Sequence, residues 1–273
     1  MPPAFKSIVI RKPDLDTIAA AFLAGATRAF HDLLIVPGQA PAKLLNDPAV
    51  LALECGGAGR ADLLNFDHHA AGGPEATAVE QAWAHLTGRA PDFEPLVFYV
   101  AWVDSGGQRG LAPTDHGAFG LSGLLSGFLM VTSDPVERFW RGQDLVRESF
   151  AAGLPPWNLA GAQVLFPHWR SYIEAHEKAR RALTALAGQA RPFPSAVGPG
   201  LALSTELYGV HGLLRGLGAI VRLAHHPAGR FSVSVAPEHR LWLSALATRL
   251  NGLEPGWGGP AGAAIISSPF TGT

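Results

Sequence analysis

Between residues 6 and 105, short apolar runs of strand length alternate with longer runs of helical length, and this alternation constrains the fold more than any other feature of the chain. Residues 8–10, 33–36, 50–53 and 63–66 read as strands, and helices are expected near 16–29, 75–86 and 93–103. Strands separated by helices argue for an α/β fold whose N-terminal domain carries a parallel sheet. Residues 114–190 read as a helical extension of that domain, with Pro135 opening one helix and 169–187 forming another. Residues 188–200 hold Pro192, Pro194, Pro199 and three glycines, which makes them the best linker candidate. They would separate a domain at 1–190 from a smaller α/β domain at 200–273, and two domains suit a chain of 273 residues. In the second domain, residues 230–236 alternate as a strand does and 241–250 fit a helix. A glycine-rich loop at 255–264 then precedes the strand-like Ile265-Ile266.

Three clusters of ligand-grade side chains sit where these elements end. Asp67-His68-His69 follows the apolar run 63–66. Burying three such groups without partners would cost several kcal/mol each, on the order of a lost hydrogen bond or more. If 63–66 end a buried strand, the triplet lies at the carboxyl edge of the sheet, where α/β folds bind ligands. A polar loop with two incidental histidines explains the triplet alone equally well. Asp14 and Asp16 flank the first strand-to-helix turn, where an N-cap accounts for one aspartate but not for the pair. Asp104 closes the apolar run 96–103. Carboxylates with imidazole suit a divalent ion such as Mn²⁺ or Mg²⁺, with Fe²⁺, Co²⁺ or Zn²⁺ also compatible. Carboxylates gathered in one cleft repel one another unless cations neutralise them. Paired metals roughly 3.5–4 Å apart activate water and hold a phosphoryl oxygen.

Taken in order, these clusters resemble the motifs of the DHH phosphoesterase superfamily. Pro13-Asp14-Leu15-Asp16 resembles the first motif, Glu54-Cys55-Gly56-Gly57 stands at the second, Asp67-His68-His69 is the naming motif, and Asp104-Ser105-Gly106 resembles the fourth. The resemblance implies that Asp14, Asp16, His68 and Asp104 are metal ligands and that Glu54 bridges. His69 and Asp67 then join the catalytic set, His69 touching phosphate and Asp67 orienting His68. Two departures stand out. The first motif's histidine is replaced by Ile10, which cannot ligate a metal, and the second motif's aspartate is Glu54. The site built on Asp16, His68 and Asp104 is therefore expected intact, and the other metal position is in doubt.

The resemblance extends to the C-terminal strand, helix and glycine loop, which are similar to the substrate-binding domain attached to many DHH proteins. Gly258 and Gly259 would let backbone N–H groups face a phosphate, although Pro260 stands where the family's loop carries histidine. Arg109, among glycines five residues beyond Asp104, is a second phosphate contact, or equally a solvated loop arginine. The implied activity is metal-dependent hydrolysis of a phosphoester or phosphoanhydride in a small nucleotide, short oligonucleotide or pyrophosphate-like substrate. Mn²⁺ is the expected cofactor, with Mg²⁺, Co²⁺ or Fe²⁺ open and one or two ions bound. The alternative is a degenerate centre that binds a phosphorylated ligand without turnover.

Composition narrows the partners. A net charge of -1, with basic residues dispersed, offers no broad positive field for long nucleic acid. No apolar run approaches the length of a membrane span. The lone Cys55 excludes an internal disulfide, and with no basic-then-apolar leader pattern this points to the cytoplasm. Cys55 is expected as a buried small hydrophobe. Homodimerisation stays open.

Overall fold

The computed structural model describes residues 5–56, 59–69, 76–104, 119–258 and 264–269, and the chain divides into two compact units, Met1–His176 and Glu177–Thr273. In the first unit, β1 (Ser7–Ile10), β2 (Asp32–Ile35), β3 (Val50–Leu53) and β4 (Asn65–Phe66) form a parallel sheet in the order β2-β1-β3-β4. Parallel sheets are covered on both faces, and the pleat sorts the residues accordingly. Ile8, Ile10, Leu51 and Leu53 point into the larger core, while Val9, Val50 and Ala52 pack with Ala40 and Cys55 on the other face. Cys55 is buried there, as expected, and donates to the Val9 carbonyl.

The helices of this unit are α1 (Leu15–Leu23), α2 (Ala42–Leu45), α3 (Ala78–Leu86), α4 (Glu94–Asp104), α5 (Leu121–Val131) and α6 (Pro135–Ala151). Asp14 caps α1 by accepting from Thr17 N at 3.0 Å, and buried Ala19, Ala20 and Ala21 give the helix a slim, close-packing body. Expected over 16–29, the helix stops at Leu23 because Gly25 takes a left-handed φ of 73°. Thr77 and Glu80 form a capping box that starts α3; the expected start at Glu75 lies outside the described residues. Asp134 caps α6, with Pro135 in its first turn. The expected strand at 63–66 is shorter than its apolar run. Residues 61–63 form a tight turn and Leu64 is left-handed at φ 53°, so β4 begins only at Asn65.

Helix α7 (Arg170–Ala185) carries the chain into the second unit. There β5 (Arg191–Phe193), β6 (Gly200–Ser204), β7 (Val221–His226), β8 (Arg230–Val235) and β9 (Ile265–Ser267) form a sheet in chain order, parallel only between β6 and β7. The segment 188–200, expected as a linker, contributes to this sheet. It supplies β5, an edge strand that tolerates Pro192 because an edge has an N–H side to spare. Helix α8 (Val210–Gly216) packs Val210 and Leu214 with Leu203, and α9 (Arg240–Leu253) packs Leu243 with Val221, Val233 and Val235. Among the described residues, no helix is long and apolar enough to cross a membrane.

Candidate metal centre

Parallel strands place their carboxyl ends on one edge, and the turns leaving those ends build the site. Glu54 follows β3 directly and is 2% exposed, with a left-handed φ of 56°. That conformation is uncommon and costly for a residue with a side chain, and such strain gathers at functional positions. His68 and His69 leave β4, Asp104 ends α4, and Asp16 lies in the first turn of α1.

The side chains converge. His68 Nε2 lies 3.2 Å from Glu54 Oε1 and 3.5 Å from Asp104 Oδ2, and His69 Nε2 lies 2.8 Å from Glu54 Oε2. Among the described residues, two groups that could hold a metal ion result, Glu54–His68–His69 and Asp16–His68–Asp104, with the donor atoms of each within 4.8 Å of one another. His68 belongs to both. Glu54 Oε1 and His68 Nε2 are buried and, among the described residues, neither has a hydrogen-bond partner. At 3.2 Å they attract each other electrostatically but are not aligned as donor and acceptor. Buried polar atoms are normally satisfied. Two that converge unbonded beside the Asp104 carboxylate fit a divalent ion taking mixed O and N ligands.

Asp16 is fixed from a distance. Its oxygens accept from Ala78 N at 2.9 Å and Val79 N at 2.8 Å, the opening amides of α3, where the helix dipole favours negative charge. Asp67, expected to orient His68, directs oxygens at two backbone N–H groups. It accepts from Gly56 N and His69 N, each at 2.8 Å, and so ties the turn after β3 to the turn after β4. Gln81 donates to the Asp67 carbonyl at 3.0 Å. Sequence reading passed over this residue, because an interior helix glutamine carries no sign of such a contact. Asp14 stands apart from both ligand groups. One oxygen caps α1 and the other meets Lys12 Nζ at 2.8 Å. Ile10 is fully buried in the larger core and offers the site nothing.

Among the phosphate contacts expected from sequence, Arg109 and Gly259 lie outside the described residues. Gly258 is described, and its N–H is already committed. It donates to Ser267 O at 3.1 Å and accepts from Ser267 N at 2.8 Å, extending the β9 edge, so it does not present a free amide.

The electrostatics show a site short of positive charge. Burial pushes the Asp16 carboxyl well above its ordinary value, and repulsion from Glu54, Asp104 and Asp14 adds to this. Asp104 is raised by burial and by Glu54 and Asp14, with His68 opposing. Burial works in the same direction on Glu54, but the two imidazoles outweigh it and hold that carboxyl at about 2. For His68, burial lowers the pKa, yet Glu54 and Asp104 bring it above the ordinary imidazole value. His69 is raised chiefly by its hydrogen bond to Glu54.

No protein-family model matches the chain, and no curated protein does. Solved structures do. A pGpG-specific phosphodiesterase from Vibrio cholerae superposes with a TM-score of 0.60 at 15% identity, covering 96% of this chain and 92% of that one. The DHH domain of a member of a family of ribosomal proteins gives a TM-score of 0.53 at 13% identity, covering 97% and 82%. The chain thus has the fold of a DHH domain.

Proposed function

We propose that this chain is a metal-dependent phosphohydrolase acting on a phosphoester or phosphoanhydride of a small substrate. The observation that carries the reading is the convergence of Glu54 Oε1 and His68 Nε2, buried and unbonded, beside Asp104 and Asp16. Asp16, His68 and Asp104, with Glu54, would hold a divalent cation, for which Mn²⁺ suits the donor set. Such a cation supplies Lewis acidity toward a phosphoryl oxygen and lowers the pKa of a water. The chain's own residues do the rest. Glu54, kept ionised, orients His69 through Oε2 and leaves Oε1 facing His68 for the cation. His69, held by Glu54 at 2.8 Å, stands at the partly exposed rim, where a phosphoryl group arrives. Asp67 and Gln81 hold the turn that positions them.

The fold shared with a pGpG-specific phosphodiesterase makes a short linear dinucleotide the first substrate to try, before pyrophosphate, short RNA and bis-p-nitrophenyl phosphate. The C-terminal unit is proposed as the substrate-binding part. The test is turnover of this panel by the full chain with Mn²⁺ or a chelator. Hydrolysis that needs Mn²⁺ and is lost in His68→Ala and Asp104→Ala supports the reading. Tight binding of one substrate with no turnover of any would replace it with a degenerate centre that binds phosphorylated ligands.

A further inference from the structure

If Asp16, His68 and Asp104 hold one divalent ion, that ion does not reach Asp14, whose charge adds to a cluster that already contains Glu54. No second ligand comes from the end of β1, because Ile10 points into the core. Asp14 itself is spent: Oδ1 accepts from Thr17 N at 3.0 Å and Oδ2 meets Lys12 Nζ at 2.8 Å. Unlike Asp16, whose oxygens meet neutral amides, Asp14 already has its charge matched by an ammonium, and it stands outside both candidate ligand groups. The ammonium therefore occupies the place beside Asp14 that a second cation would take. The Lys12 side chain is 61% exposed, so its ion pair with Asp14 contributes little to stability and exchanges partners readily. Glu54 and Asp104 also favour its charged form, after Asp14 itself, which places the ammonium in the field of the same cluster. Lysine binds phosphate as a compact point charge on a flexible stem.

We propose that Lys12 is a substrate-binding cation of this centre, resting on Asp14 and moving to a phosphoryl oxygen of the incoming substrate, so that the site works with one metal ion and one ammonium. This rests on the reading of Asp16, His68 and Asp104 as a metal site. The experiment has two arms on the full-length protein. Metal counting by native mass spectrometry and Mn²⁺ titration by calorimetry are run on the unmodified chain, Lys12→Ala and Lys12→Arg. Inorganic phosphate is then titrated into each Mn²⁺-loaded protein. The expected result is one tightly held Mn²⁺ in all three proteins and phosphate affinity reduced about tenfold in Lys12→Ala, with Lys12→Arg recovering most of it. Two tight ions in the unmodified protein would overturn the proposal, because the centre would then work with two metals and not with one metal and one ammonium. One tight ion with unchanged phosphate affinity in Lys12→Ala overturns it too and leaves the metal reading standing. No Mn²⁺ binding at all removes the metal reading and the proposal with it. Melting temperature controls for folding, and an exposed Lys12 should leave it within about 1 °C of the unmodified protein.

Discussion

Asp16 holds α3 by its first amides and belongs to one of two possible ligand groups, so Asp16→Asn separates its structural role from its role in metal binding. Asparagine retains one acceptor oxygen, and its amide group then faces the second backbone N–H. That leaves a buried donor unpaired, which costs about 1–3 kcal/mol. Against this, the substitution removes a carboxylate that Glu54, Asp104 and Asp14 all repel. The two effects oppose, so the metal-free variant should melt within a few degrees of the unmodified protein. With Mn²⁺ at about 100 times its dissociation constant, the unmodified protein gains about 2.7 kcal/mol. At about 2–4 °C per kcal/mol for a unit of this size, Tm rises by about 5–10 °C. The variant should gain less than about 2 °C.

The assay is thermal unfolding of both proteins with chelator and with Mn²⁺. pH provides an internal check in chelator. A carboxyl whose folded pKa lies above its unfolded value contributes stability fully below about 3.9 and loses it as pH rises through the folded value. The unmodified protein should therefore lose ground to the variant as pH rises from 4 toward neutrality. An equal Mn²⁺-induced rise in both proteins would refute the reasoning. The ion would then sit on Glu54, His68 and His69, and Asp16 would serve only α3.

Three further outcomes follow from the geometry. Asp67→Asn cannot accept from both Gly56 N and His69 N, so it should cost about 2 kcal/mol in thermal unfolding and weaken Mn²⁺ at least tenfold by calorimetry; unchanged affinity would show that this turn does not position the ligands. Gly127→Ala would place a methyl 1.9 Å from the Tyr172 carbonyl oxygen, so despite alanine's better helix propensity it should destabilise by about 2–3 kcal/mol, and a Tm equal to that of the unmodified protein would contradict the packing of α5 against α7. His211 sits between Ser232 Oγ at 2.7 Å and Ser234 Oγ at 2.9 Å, and burial, with Arg222 beside it, pushes its pKa down to about 4. Stability from this group is present above the unfolded value of about 6.5 and is lost as pH falls toward 4, by at most about 3 kcal/mol; His211→Gln should flatten that part of the pH–melting curve, and an unaltered curve would assign the acid sensitivity elsewhere.

What sequence shows well is burial. The apolar runs at 8–10 and 50–53 became central strands because a parallel sheet covers both faces, and such strands need no alternation. Failures came where a local backbone choice overrode the pattern. Leu64 took a left-handed conformation and reduced a four-residue apolar run to a two-residue strand, while Gly25 cut α1 short. Strands β6 and β7 were missed because the apolar run of β6 is only Leu201-Ala202-Leu203, and Arg222 and the two terminal histidines break up that of β7. The proline-rich segment 188–200 misled for a related reason. Proline signals a linker only if the chain needs the missing N–H, and an edge strand does not.

In the site, residue type was legible and direction was not. Asp14 and Asp16 are chemically alike and two positions apart, yet their backbones differ. Asp14 is an extended N-cap at ψ 179°, which turns its oxygens back on Thr17 N and toward Lys12. Asp16 is already helical, and the helical turn of about 100° per residue aims it across to the start of α3, 62 positions along the chain from Ala78. Capping and metal ligation draw on the same carboxylate chemistry, so a Pro-Asp-x-Asp string cannot say which aspartate does which. The two aspartates differ in what lies across the cleft. The α3 amides hold Asp16 where His68 and Asp104 converge, whereas nothing but Lys12 and the helix end faces Asp14 among its described hydrogen bonds and ion pairs. Ile10 follows the same logic, since its burial is written in the strand pattern and its failure as a ligand follows from that burial.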